Sequence, residues 1–478
     1  MNTVLQKVRN VWPVVALLFL LSSCVDGYKG ESTWMSTVTN SQLDNPEVTV
    51  AFSPDGSQLI VSWSTVAGAG GYEVSIYNVD DPDNPVAINE ENQIVDGFEV
   101  RCTAPEDTKF MARVRTLGNE KMNNTAATAF VEKTITNLLE VYKTIPSGTN
   151  LTEYFTTTDP TPESQEELCY QLEAGGSYTM NGNVSFGQTD VTIRGDKTDH
   201  ALITLTDGSF VSEGAKVKLQ FLEINAKGFT GTPTTNALFL MSATFPTEGL
   251  NANDYKEVPS IMLQSCEVSG LPGYLFWDSN QKYGINSFII KDCLVGFSTP
   301  SFSAAMIRFQ RGMVKDVAFT NSTFYNENPP VSDNSQRFMQ LSSGNATSVG
   351  WLSGNMIVTN CTFWQVSKYN QLGNSNGGMR TGSDKVTIQK NVFVDSGQQT
   401  NNIWNFRMRN ANNFTGGQNS QWWGGEDLYT RTGSNESTND LNPVNGNPGL
   451  TYLGNGQFRM TGAAHQAAGI GDPRWLAQ

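Results

Sequence analysis

Between residues 261 and 393 one eight-residue pattern occurs five times. The copies are Ile261-Met-Leu-Gln-Ser-Cys-Glu-Val268, Phe288-Ile-Ile-Lys-Asp-Cys-Leu-Val295, Val317-Ala-Phe-Thr-Asn-Ser-Thr-Phe324, Met356-Ile-Val-Thr-Asn-Cys-Thr-Phe363 and Val386-Thr-Ile-Gln-Lys-Asn-Val-Phe393. Their starts lie 27, 29, 39 and 30 residues apart, and a recurring interval of this size marks a stacked repeat. Apolar residues hold positions 1, 3 and 8, a polar residue holds position 5, and Cys, Ser or Asn holds position 6. This is a period-2 strand, a one-residue corner and a second strand. Such a unit cannot bury its apolar face alone. Stacked on its neighbours about 4.8 Å apart, with each strand bonded to its equivalent above and below, it can. The expected fold is all-β, a right-handed parallel β-helix, with the extra residues of the longer intervals looped out on its flank.

The pattern reaches further back. Val191-Thr-Ile-Arg194 and Val217-Lys-Leu-Gln220 start 26 residues apart, and Leu172 to Tyr178 begins the first coil. The 44 residues from Val217 to Ile261 imply a sizeable loop between Ala226 and Pro259. The irregular stretch from Thr134 to Glu167 is expected to cap the open edge of the first turn. Position 2 of the copies (Met262, Ile289, Ala318, Ile357) faces outward yet is apolar, so that stripe is expected to be covered.

Residues 47–135 carry a different signal. Leu59-Ile-Val-Ser-Trp63, Gly71-Tyr-Glu-Val-Ser-Ile-Tyr77 and Lys109-Phe-Met-Ala-Arg-Val-Arg115 alternate as short strands, which describes a small β-sandwich. The order resembles a fibronectin type III module, although the corner tyrosine of such modules is Phe110 here. The implied role is a spacer. At the start, Lys7 and Arg9 precede an apolar run from Val11 to Leu21, then Leu21-Ser-Ser-Cys24. The run is short for a membrane span and reads as a signal peptide over 1–24. The small residues before Cys24 resemble a bacterial lipobox, which implies a lipid on Cys24. The polar stretch 25–46 reads as a tether, and 136–478 as the β-helix with its cap and tail.

The chain has 46 acidic and 31 basic residues, net −15, so no nucleic-acid partner is expected and the membrane is met through the lipid alone. Cys102, Cys169, Cys266, Cys293 and Cys361 are odd in number and are expected to be free thiols, the three at position 6 buried, with a Cys266–Cys293 disulfide between adjacent turns as the alternative. With no Cys-x-x-Cys and only His200 and His465, no metal site is expected.

From Leu172 on, the chain resembles pectate-lyase-like β-helix proteins. More narrowly it is similar to uncharacterised lipoproteins of glycan-foraging Gram-negative bacteria, with a lipobox, a fibronectin type III module and a tail like Gly469-Ile-Gly-Asp-Pro-Arg-Trp475. The resemblance implies an outer-membrane lipoprotein at the cell surface. It further implies a polysaccharide-utilisation system, of a kind often directed at pectin, with outer-membrane glycan-import components among the partners such a system offers.

Upstream of each copy lies another short strand, and stacking would put Trp277, Arg308, Gln340, Arg380 and Arg407 in one column. Phe276, Ile307, Met339, Met379 and Phe406 would then fill the interior. Guanidinium groups pair with uronate carboxylates and indoles stack on sugar rings, so the column suits an acidic, pectin-like polysaccharide. Trp364, Tyr369, Trp422 and Trp423 are expected to extend the groove. Catalytic residues are not assigned. Asp278, Asp292 and Asp316 are scattered, Phe276-Trp-Asp-Ser279 lacks the histidine of the familiar lyase motif, and no Gly-His-Gly occurs. A binding protein without a cofactor is therefore the expectation. The alternatives are a divergent lyase, which would require calcium, and a structural or adhesin-like scaffold.

Overall fold

The computed structural model describes residues 41–53, 57–244, 254–332, 336–341, 349–370, 372–375, 383–397, 404–405, 414–427 and 440–476. The chain divides into two compact units, Met1–Leu139 and Glu140–Gln478.

In the first unit, strands Val48–Phe52, Gln58–Trp63 and Glu99–Thr103 form one antiparallel sheet. Gly71–Asn78, Lys109–Leu117 and Val131–Thr136, with short Val86–Ala87 and Gln93–Val95, form another. Alternation decides which side chains go inward. Leu59, Val61 and Trp63 from the first sheet share a core with Val74, Ile76, Phe110, Ala112 and Val114 from the second. The two sheets thus make a sandwich. Phe110 is fully buried and meets Phe52 edge-on, with ring centroids 5.9 Å apart. The end of the expected tether already belongs to this unit. Gln42 bridges Thr125, Leu43 is buried, and the Asn45 side chain donates to the Ala129 carbonyl. The boundary read at residue 46 therefore lies earlier in the chain. Cys24 lies outside the described residues.

The second unit is a three-sheet parallel β-helix, with sheets of eleven, ten and eight strands among the described residues, the last strand of the ten pairing antiparallel. The first sheet carries the start of every repeat in one register: Leu168, Val191, Val217, Ile261, Phe288, Val317, Met356, Val386 and Phe414 pair in succession. The one-residue corner is a left-handed residue in each copy. Ser265, Asp292, Asn321, Asn360 and Lys390 have φ of 49°, 56°, 48°, 53° and 55°. Asn and Asp tolerate this conformation best among residues with a side chain, which accounts for three of the five. After the corner the second sheet begins, and position 8 points inward. Phe324 lies against Phe363 (centroids 5.1 Å, 20° between planes), and Phe363 against Phe393 (4.9 Å, 17°).

Position 6 is buried at the turn. The Asn391 side chain accepts from the Cys361 amide (2.9 Å) and donates to the Val358 carbonyl (2.8 Å) and to Asn419 (2.9 Å). All five cysteines among the described residues are free. Burial pushes the Cys293 thiol up to about 12, which makes it unreactive at neutral pH.

The N-terminal cap consists of strand Val141–Ile145 on the outer edge of the first sheet and a helical turn that buries Leu151 and Phe155. Phe155 meets Tyr170 and Phe186 edge-on, closing the end of the core. The position-2 stripe is not fully covered. Ile357 is 40% exposed. Ile289, Ala318 and Ile357, with Ser287, Asp316, Asn355 and Lys385, line a shallow groove of about 280 Å³ on the first sheet.

At the C-terminus, hairpin Thr451–Gly454/Gln457–Arg459 and helix Ala463–Ala468 belong to a second apolar cluster with Leu294, Tyr325 and Val392 of the second sheet. His465 is 1% exposed, its Nε2 lies 2.8 Å from Ser420 Oγ, and its Nδ1 has no partner among the described residues. Burial lowers its pKa, with the nearby charge of Asp427 opposing. A histidine depressed below its unfolded value near 6.5 leaves the unfolded chain holding more protons at mildly acidic pH. Stability is therefore full above about pH 6.5 and falls as the pH drops towards the lowered folded value. The urea midpoint is expected to drop between pH 7 and pH 5 in the wild type, and to drop less in His465→Gln. An equal drop in both would refute this assignment.

Candidate functional site: the outer face of the third sheet

The third sheet runs Val184–Ser185, Phe210–Ser212, Ala237–Met241, Tyr274–Trp277, Ala305–Phe309, Arg337–Leu341, Gly373–Ser375 and Trp404–Asn405. In four successive strands two neighbouring side chains enter the core: Leu238 and Phe239, Leu275 and Phe276, Met306 and Ile307, Phe338 and Met339. The residues flanking each pair lie outside that core. They form two columns three residues apart. One contains Ala237 and Tyr274, then Ala305 and Arg337. The other contains Leu240, Trp277, Arg308 and Gln340 in consecutive register.

Trp277, Arg308 and Gln340 thus stand together as the sequence suggests, each partly exposed. The positions that follow Gln340 in the column are Asn374 and Asn405. The register expected from spacing therefore fails there: the loop between Leu341 and Gly373 brings in a strand that starts earlier than the reading assumed. Arg380, Arg407, Met379 and Phe406 lie outside the described residues.

Two residues that the sequence reading passed over complete the face. Tyr274 stacks on Trp277, with centroids 5.3 Å apart and 15° between planes, and is itself held edge-on by Phe302 at 4.9 Å. The loop bearing Phe302 is fixed by Gln336, whose amide donates to Thr299 Oγ1 (2.9 Å) and to the Phe302 carbonyl (3.0 Å). Arg308 Nη1 donates to Tyr274 Oη at 2.9 Å. Arg337 is the second. The signal that could have found both is the common spacing Tyr274/Trp277, Ala305/Arg308 and Arg337/Gln340, three residues apart around an apolar pair.

The electrostatics of this face are unusual for an acidic chain. Neither Arg308 nor Arg337 meets a carboxylate among the described residues. Arg308 Nε, Arg337 Nε and Trp277 Nε1 are shielded from water and have no hydrogen-bond partner among the described residues. A donor in that state costs roughly 1–3 kcal/mol until an acceptor arrives.

The remaining expected residues sit elsewhere. Trp422 and Trp423 belong to strand Ser420–Trp423 of the second sheet. Trp422 and Trp364 both pack against the apolar cluster under the C-terminal hairpin, and Trp364 stacks on Tyr452 at 5.0 Å. Trp423 Nε1 donates to the Lys368 carbonyl. Trp364 and Trp422 serve the C-terminal packing, and all three indoles lie on second-sheet strands, on another side of the coil from the third-sheet column. Tyr369 adjoins Lys368.

No two of the three aspartates share a site. Asp278 is 1% exposed and accepts from the amides of Asn280 (3.0 Å), Arg311 (2.8 Å) and Gly312 (2.6 Å). Burial raises its pKa, and these amides oppose the rise. Asp292 accepts from Asn321 at a corner, and Asp316 from Asn355 beside the first-sheet groove. His200 is half-buried beside Phe221. Among the described residues no group of three or more His, Cys, Asp or Glu converges to hold a metal ion.

Fold and face together define a parallel β-helix protein with an aromatic and arginine-bearing flank. Residues 2–175 match the family model DUF4992 and residues 176–327 match DUF4957, both described as domains of unknown function. No curated protein matches the chain. Among solved structures it is similar to a pectate lyase, PelI, from Erwinia chrysanthemi in complex with tetragalacturonic acid. That similarity is 13% identity over 60% of this chain and 88% of the other, with a TM-score of 0.15. The fold assignment rests on the strand registers above, not on that likeness.

Proposed function

We propose that this chain binds an acidic, pectin-like polysaccharide along the outer face of its third sheet. The observation that carries the reading is one column, Trp277–Arg308–Gln340, in which the arginine has no carboxylate partner among the described residues of a protein of net charge −15. Arginine forks bind carboxylates in bidentate fashion, and an indole edge beside them offers apolar contact to a sugar ring. In this reading the chain is a cell-surface lipoprotein of the outer membrane, held through Cys24. It works within a glycan-utilisation system beside import components. The first unit is a fibronectin type III-like spacer, which its sheets of three and five strands support.

The purified chain is expected to be retarded in affinity gels containing polygalacturonan or a related acidic glycan, without new absorbance from unsaturated ends when calcium is added. New absorbance would establish a lyase instead, and neither effect with any acidic glycan would leave a scaffold. Arg308→Ala is expected to weaken binding about tenfold or more, the worth of one charge-assisted contact. Unchanged affinity in Arg308→Ala would place the ligand elsewhere. Cys24→Ala is expected to release the protein from the membrane fraction.

A further inference from the structure

We infer that Tyr274 is a positioning residue, which from beneath the surface sets Arg308 for a carboxylate and Trp277 for a sugar ring. Through it the face distinguishes a free uronate from its neutral ester. This rests on the glycan reading above and deepens it.

Tyr274 is 3% exposed, whereas Trp277 and Arg308 are partly exposed. One buried side chain therefore touches both groups that face a ligand. Its ring stacks on Trp277 at 5.3 Å and 15°, which covers one face of the indole and leaves a ligand the other. Its hydroxyl accepts from Arg308 Nη1 at 2.9 Å. That is the only hydrogen bond of Arg308 among the described residues, and its Nε has no partner among them. The Nη2 donors and the second Nη1 hydrogen stay available to an anion.

Tyr274 is itself held in place. Phe302 meets it edge-on at 4.9 Å, and Gln336 fixes the loop that carries Phe302. Gly273 leaves room for this contact: a Cβ there would lie 3.1 Å from the Phe302 ring and 2.4 Å from the Pro233 carbonyl oxygen.

A guanidinium oriented before the ligand arrives has already given up side-chain freedom, so more of its charge-assisted contact appears as affinity. A single phenolic oxygen supplies that orientation. Phenylalanine would keep the stack and the volume but release the guanidinium. Trp277 and Arg308 are register partners on adjacent strands, about 4.8 Å apart. The stacked ring and the carboxylate thus lie side by side on neighbouring coils. A methyl ester carries no charge and gains only the stack.

The test uses the full chain in affinity gels and calorimetry, with polygalacturonate and its fully methyl-esterified form. The wild type is expected to bind the free acid about tenfold or more tighter than the ester. Tyr274→Phe is expected to reduce that ratio about fivefold and to leave ester binding and thermal unfolding unchanged. In an Arg308→Ala background it is expected to add no further loss, because it acts through Arg308. Phe302→Leu, which loosens the ring without touching the hydroxyl, is expected to shift the ratio the same way by less. An unaltered ratio in Tyr274→Phe would overturn this inference alone, as would an additional loss in the Arg308→Ala background. Should Tyr274→Phe fail to fold, an unaltered ratio in Phe302→Leu overturns it instead. No binding of either polymer by the wild type would overturn the glycan reading with it.

Discussion

Asp472→Ala is expected to lower the unfolding free energy by about 3 kcal/mol, because it leaves a part-buried guanidinium without its counter-ion. Asp472 is 1% exposed. It accepts from Thr323 Oγ1 at 2.7 Å and from Arg474 Nε at 3.0 Å. Arg474 then reaches back to the carbonyls of Cys293 and Asn321. The Asp472 amide donates to Thr362 Oγ1, the Gly471 amide to the Lys390 carbonyl, and Trp475 Nε1 to Thr323 Oγ1. The tail therefore ties together four successive coils that are 110 to 181 residues distant in sequence where side chains make the bond. Coils of a solenoid otherwise contact only their neighbours, so the lash raises the cooperativity of the C-terminal half. Urea unfolding followed by tryptophan fluorescence reads the effect. Asp472→Asn, which keeps the shape, should cost less, and a loss below about 1 kcal/mol in Asp472→Ala would show that water replaces the pair at little cost.

Phe324→Ala should cost about 3–5 kcal/mol, the range for deleting a buried phenylalanine ring. Phe324 is fully buried, lies against Phe363, and meets Phe338 (4.8 Å) and Phe319 (5.6 Å) edge-on. Its removal opens a cavity at the centre of the coil stack, where a rigid strand ladder on each side resists collapse. Phe324→Leu should cost less, since it fills part of the volume. Denaturant midpoints at constant slope provide the check. A cost under about 1 kcal/mol for the alanine variant would mean that the coils close up around the gap.

These two variants also mark what could be read in advance and what could not. Phe324 stands at position 8 of a pattern visible in the letters. Its burial follows from period-2 alternation and a corner, both properties of a few adjacent residues. The first-sheet register from Ile261 to Val386 follows in the same way, since a slip of one residue would turn every apolar side chain outward. Nothing local shows that Asp472 meets Thr323, or that Trp422 packs under a C-terminal hairpin. Those contacts join segments far apart in the chain.

The third-sheet face falls between these cases. Trp277, Arg308 and Gln340 align as their spacing suggests because the intervening loops keep one register. Beyond Gln340 the register could not be counted through a long loop, and the column continues at Asn374, not Arg380. Hydrophobic periodicity is a short-range property, so the amino-acid order alone settled the β-helix, its corners and its interior. The partners of Arg308 and Arg474 depend on how many residues each loop takes up between coils, and only the folded stack decided them.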